Sequence, residues 1–114
     1  MITMYGIPNC DTVKKARAEL DKRGIAYQFH DYKKAGIDAA TLKRWCQQFG
    51  YDNVVNRKGT TWRKLDDNVR ESLTEVKAIK LMQEQPSVIK RPIIDTGSRV
   101  LLGFDAKEYA GLPK

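Results

Sequence analysis

A chain of 114 residues has the length of one domain, and 41% hydrophobic with 31% charged residues suits a soluble globular fold with its own core. It has no apolar run of about 18 residues and no basic-then-apolar opening. A transmembrane helix, a membrane partner and a secretory signal are therefore not expected, and the cytoplasm is the expected compartment. The net charge is +7, from 21 Lys and Arg against 14 Asp and Glu, but the positives are scattered in pairs such as Lys14-Lys15, Lys43-Arg44 and Lys90-Arg91, outside any recognised nucleic-acid motif, so solvated charge or small-anion binding is expected rather than nucleic acid.

Ile2-Thr3-Met4-Tyr5 reads as a short strand, and Gly6 to Asn9 as a loop. From Asp11, the apolar positions Val13, Ala16, Ala18 and Leu20 predict a helix that stops near Gly24. Residues 27–32 alternate as a second strand, and the interval is long enough for a crossover helix, so the two strands are expected to be parallel. Asp38 is placed to cap a helix carrying Leu42, Trp45, Cys46 and Phe49, ended by Gly50. Residues 56–60 read as a loop, and a helical stretch is expected through Val69 to Leu73. Another helix is expected from Glu75 to Gln85, with Val76, Ile79 and Met82 on one stripe, broken by Pro86. The hairpin expected last pairs residues 92–95 with 99–103. Asp105 then caps a short helix through Tyr109. The order is β-α-β, a helical block over about 38–85, then β-β-α, in one domain spanning residues 1–114.

There are two cysteines and a single histidine, His30, and their spacing matches no zinc pattern, so no metal site is expected. Cys46 shares an apolar stripe and reads as inert core. Cys10 falls at the N-terminus of the first helix, where unpaired amide groups and the helix dipole favour thiolate, the reactive form. Ser, Thr, Asp or Asn would cap a helix better, so the thiol itself is the reason for a cysteine there. Val13 stands where a Cys-x-x-Cys motif has its second cysteine, so a redox cycle must take its second thiol from outside, with glutathione as the expected source. Arg57 and Arg91 offer planar forks for carboxylates or oxyanions. Pro92, entering a strand, is a candidate cis proline. His30 reads as structural, and Trp62 as either a contact or packing.

Three segments together resemble the arsenate reductase (ArsC) family. They are Tyr5-Gly6-Ile7-Pro8-Asn9-Cys10-Asp11-Thr12, Arg57-Lys58-Gly59 and Ile89-Lys90-Arg91-Pro92-Ile93-Ile94. Within that family the chain is most similar to the YffB-like branch, beside the Spx regulators. The resemblance implies an α/β, thioredoxin-like fold with a helical insertion and a mixed four-stranded sheet. It implies that Cys10 is the nucleophile, that Arg57 and Arg91 face it, and that Pro92 is cis. Family members acting on arsenate carry a third arginine after the hairpin, where this chain aligns Gly103, and that departure weighs against arsenate. Val13 removes the Cys-x-x-Cys switch typical of Spx.

The expected activity is that of a glutathione-dependent thiol reductase acting on an oxidised thiol or a small anionic substrate. Cys10 is its catalytic residue, and Asn9, Lys14, Arg57, Arg91 and Pro92 line its substrate and glutathione side. No bound cofactor is expected, only glutathione as co-substrate, and nothing demands more than a monomer. The alternatives are a glutathione- and glutaredoxin-coupled arsenate reductase and an Spx-like, RNA polymerase-binding regulator.

Overall fold

A computed structural model describes residues 2–113. By compactness they fall into two units, residues 2–31 with 91–113, and residues 32–90.

The first unit is built on a four-stranded sheet. Strand β1 (Ile2–Gly6) buries every second residue, as the period of a half-buried strand requires. Helix α1 (Asp11–Lys22) follows, and Val13, Ala16 and Leu20 form its buried stripe, whereas Ala18, two positions from Ala16 and so off that stripe, is exposed. Strand β2 (Tyr27–Asp31) runs parallel to β1, from Ile2 beside Tyr27 to Gly6 beside Asp31. Strands β3 (Ile93–Asp95) and β4 (Val100–Leu102) form the expected antiparallel hairpin, and β3 also pairs antiparallel with β1. The order is β2-β1-β3-β4, a mixed sheet. The hairpin turn is fastened by Asp95, whose Oδ1 accepts from the Gly97 amide at 2.8 Å, and by Thr96, whose Oγ1 accepts from the Arg99 amide at 3.0 Å. The last helix spans Ala106–Tyr109. The expected cap is present, with Asp105 Oδ1 accepting from the Lys107 amide at 2.9 Å. Met4, Val13, Leu20, Ile94, Leu101 and Tyr109 belong to one buried cluster, and each fully buried aliphatic contributes about 1.5–3 kcal/mol.

The second unit is almost wholly helical. Tyr32, expected as the last residue of a strand, instead opens the short helix α2 (Tyr32–Ala35). Its ring is buried, and its hydroxyl reaches the Lys90 carbonyl at 3.4 Å. Helix α3 (Ala39–Phe49) has the expected cap, Asp38 Oδ1 accepting from the Thr41 amide at 2.7 Å, and ends at Gly50 with φ +84°. Short helices α4 (Tyr51–Val54), α5 (Thr60–Arg63) and α6 (Asp67–Glu71) follow. The last of these lies two residues ahead of the predicted stretch. Helix α7 (Glu75–Glu84) packs against α3. Its buried residues are Ala78, Leu81 and Met82, while Val76 is 78% exposed, so the stripe predicted through Val76 and Ile79 is rotated. A turn of 3-10 helix at Pro86–Val88 leads into an isolated antiparallel bridge between Val55 and Ile89. Among the described residues no helix is long and apolar enough to cross a membrane.

Candidate active site

Cys10 is the N-cap residue of α1. Its backbone is extended (φ −135°, ψ 126°), and its carbonyl accepts the first helical bond from the Lys14 amide at 2.9 Å. The thiol makes no capping hydrogen bond. It is half-buried and packs against the sheet unit's core. Asn9 is exposed, as are Asp11 and Lys14 on the first turn. Continuing the β1–β3 register by one residue sets Gly6 beside Pro92, and continuing the β3–β4 register sets Pro92 beside Gly103. The second adjacency is sealed by the Gly103 amide donating to the Pro92 carbonyl at 2.8 Å. The loop carrying Cys10 and the Arg91–Pro92 peptide therefore share one end of the sheet. That peptide is cis. Pro92 is buried, Arg91 is half-buried, and the Arg91 Nε lies within the protein.

Arg57 belongs to the helical unit. It lies in the loop before α5, half in solvent, and its Nη2 donates to Asp52 Oδ1 at 2.7 Å. Its guanidinium carbon lies 5.5 Å from the centre of the Trp62 ring. Trp62 is thus nearly buried packing that also seats a cation. Sequence reasoning did not find Asp52 as the partner of Arg57, because α4 ends between them and the pair follows no helical spacing.

A family model described as the ArsC family matches residues 5–112. The chain belongs to the ArsC family. It is 48% identical over 109 residues to an uncharacterised protein of Haemophilus influenzae, covering 96% of each chain. It is 29% identical to the global transcriptional regulator Spx of Streptococcus mutans, covering 100% of this chain and 85% of that one. Among solved structures, the YFFB protein is 53% identical with a TM-score of 0.93, covering 96% of both chains. An arsenate reductase (ArsC) related protein from Brucella melitensis is 46% identical with a TM-score of 0.77, covering 95% of this chain and 90% of that one. The fold is accordingly the thioredoxin-like fold of ArsC proteins.

This ArsC-family chain has Gly103 at the end of β4 with φ +77°, in the left-handed region that favours glycine. Its carbonyl accepts from the buried Tyr109 hydroxyl at 3.1 Å, which fixes the backbone there. Burial raises the Tyr109 phenol well above its ordinary value, with Glu108 and Asp105 adding to the effect. A side chain at this position is strained. Gly103→Ala and Gly103→Arg should each lower stability by about 1–2 kcal/mol, read from urea midpoints. Unchanged midpoints would contradict the left-handed backbone.

Cys46 lies on the buried stripe of α3 with Leu42 and Trp45 and is 2% exposed. Burial, with the Glu75 carboxylate adding to it, pushes its thiol up from 9.0 to about 11. The folded chain therefore keeps this proton where the unfolded chain loses it. The resulting stability is complete below about pH 9 and disappears as pH rises through about 11, with a ceiling of about 2–3 kcal/mol. Cys46→Ala should flatten the fall in urea midpoint between pH 8 and pH 11, and an equally steep fall in the variant would count against it. His30 packs against Tyr5, its partner across the β1–β2 pair, with the rings tilted by 42° and their centres 4.8 Å apart. Among the described residues, no group of three His, Cys, Asp or Glu side chains could hold a metal ion.

Proposed function

We propose that this ArsC-family protein is a glutathione-dependent thiol reductase whose single working sulfur is Cys10. The observation that carries this is the position of Cys10, a half-buried thiol with no capping bond, at the N-terminus of a 12-residue helix and at the sheet end occupied by the cis Arg91–Pro92 peptide. The first-turn amides lack helical partners, and a helix N-terminus of this kind favours a negatively charged group. The Cys10 thiolate attacks the glutathione sulfur of a mixed disulfide. A Cys10–glutathione disulfide forms, and the substrate sulfur leaves as a thiolate that takes a proton from water. A second glutathione thiolate attacks that adduct, releasing oxidised glutathione and restoring Cys10. Val13, buried at the second Cys-x-x-Cys position, leaves the resolving step to an outside thiol.

Asn9, next to Cys10, and Lys14, one helical turn on, are exposed and would meet the peptide and its charge. The main chain before Pro92 would pair with the extended glutathione backbone. Arg91 and Arg57 would supply guanidinium forks for carboxylates of glutathione or of an anionic substrate. The protein would work as a cytoplasmic monomer with no bound cofactor. Incubation with oxidised glutathione followed by intact-mass and peptide analysis tests this. One glutathione on Cys10 and none on Cys46 is expected, and an adduct on Cys46 alone would defeat it.

Two other readings have specific support. One structural neighbour, from Vibrio cholerae, is described as an arsenate reductase and is 26% identical with a TM-score of 0.80. Gly103, at φ +77° where arsenate-reducing relatives are expected to present an arginine, weighs against that activity here. Glutathione-coupled loss of arsenate would restore it. The Spx relatives support a regulator bound to RNA polymerase. Co-purification with polymerase subunits, unaffected by Cys10→Ala, would favour that role.

A further inference from the structure

The Arg57 loop is held firmly within the helical unit. Around the Val55–Ile89 bridge, the Asn56 amide donates to the Val88 carbonyl at 2.6 Å and the Lys90 amide to the Val54 carbonyl at 2.8 Å. Asn56 Oδ1 accepts from the Lys58 amide at 3.2 Å, tightening the turn. A cavity of about 150 Å³ opens here, with Asp52, Arg57, Lys58 and Lys90 among its lining. That lining holds the basic residues Arg57, Lys58 and Lys90 against the single acid Asp52, so it keeps a positive surplus even with Asp52 in place. At roughly 30 Å³ per water, the space suits a carboxylate and the few atoms next to it, not a whole tripeptide.

The guanidinium is not waiting empty. Its Nη2 is taken by Asp52 at 2.7 Å while its face is steadied by Trp62. The side chains of the pair are 49% and 60% exposed, and an ion pair so open to water contributes little to stability and is easily exchanged. Asp52 offers the group that an incoming carboxylate would offer, in the same place.

We propose that Asp52 is a resident competitor. It occupies the fork of Arg57 and sets this pocket's affinity for a terminal carboxylate of glutathione, which binds by displacing it. The proposal rests on the role given above to Arg57 as a holder of glutathione's carboxylate. Exchange at Arg57 is carboxylate for carboxylate, so the net gain on binding comes from Lys58 and Lys90. Removing the competitor's charge therefore tightens binding, and only while Arg57 is present.

S-Methylglutathione, which has no free thiol, is the probe. Its binding is followed by NMR at the Trp62 indole N–H in the wild type, in Asp52→Asn and in the double variant Asp52→Asn/Arg57→Gln, beside the KM for glutathione in turnover. Asp52→Asn should bind the probe about two- to fivefold more tightly and lower KM by the same factor, with the effect in KM rather than kcat. Adding Arg57→Gln should abolish the gain. Equal or weaker binding in Asp52→Asn overturns the proposal, as does a gain that survives Arg57→Gln or a probe that binds no variant. If turnover is absent but Asp52→Asn still binds the probe more tightly, the reductase assignment falls and the displacement stands.

Discussion

Replacing Cys10 by serine should reduce glutathione-coupled turnover by on the order of a thousandfold or more, to the uncatalysed background. Loss of a covalent nucleophile has effects of this size because the whole reaction path passes through it. A serine hydroxyl is not ionised near neutral pH and forms no disulfide, so no residual route through residue 10 remains. The fold should tolerate the change. Cys10 makes no capping bond, and serine is a better N-cap than cysteine, so the urea midpoint should stay level or rise slightly. Cys46→Ala is the matched control, with its sulfur buried away from solvent and turnover expected near that of the wild type. Retention of turnover in Cys10→Ser would remove the proposed mechanism outright, whereas a loss accompanied by unfolding would show up in the midpoint.

Trp45→Ala should cost about 3–5 kcal/mol, the range for truncating a buried aromatic residue. The Trp45 side chain is fully buried on α3, on the same stripe as Leu42 and Cys46, and α3 packs against α7. No small shift of a neighbour refills a space of that size, so transfer and cavity contributions add. Domains of this kind have about 5–15 kcal/mol in total, so the loss is a large share of the stability. Far-UV circular dichroism in urea is the right measurement, because the substitution also removes an indole from the fluorescence signal. A loss below about 1 kcal/mol would mean that α3 is not packed as described.

Trp45 also marks what the sequence made legible. Leu42, Trp45 and Cys46 recur at helical spacing between a capping Asp38 and a terminating Gly50, so the extent and the inner face of α3 could both be read. In α7 the extent was equally clear and the face was not. Val76, Ile79 and Met82 make one apolar row, and Ala78, Leu81 and Met82 make another beside it. The helix alone does not choose between adjacent rows. The choice comes from its packing against α3, which lies far away in sequence. Tyr32 departs from its expected strand for a similar reason. An aromatic residue after an alternating run continues a strand by propensity, yet here it turns inward and its hydroxyl meets the Lys90 carbonyl.

The site divided in the same way. The position of Cys10 at a helix start followed from its neighbours, and the cis peptide before Pro92 agrees with the family resemblance. The Asp52–Arg57 pair spans the end of α4 and depends on a loop anchored to residues 88–90, which no local pattern encodes.

The strand pairing has a consequence for how the helical residues are hung on the sheet. Gly6 at the end of β1 lies beside Asp31 on one side and, by register, beside Pro92 on the other. Residues 32–90 therefore leave from one neighbour of β1 and rejoin at the other, about two strand spacings or 10 Å apart. Anchorages so close together let that segment gain, lose or exchange residues over generations without shifting the ladder that holds the sulfur.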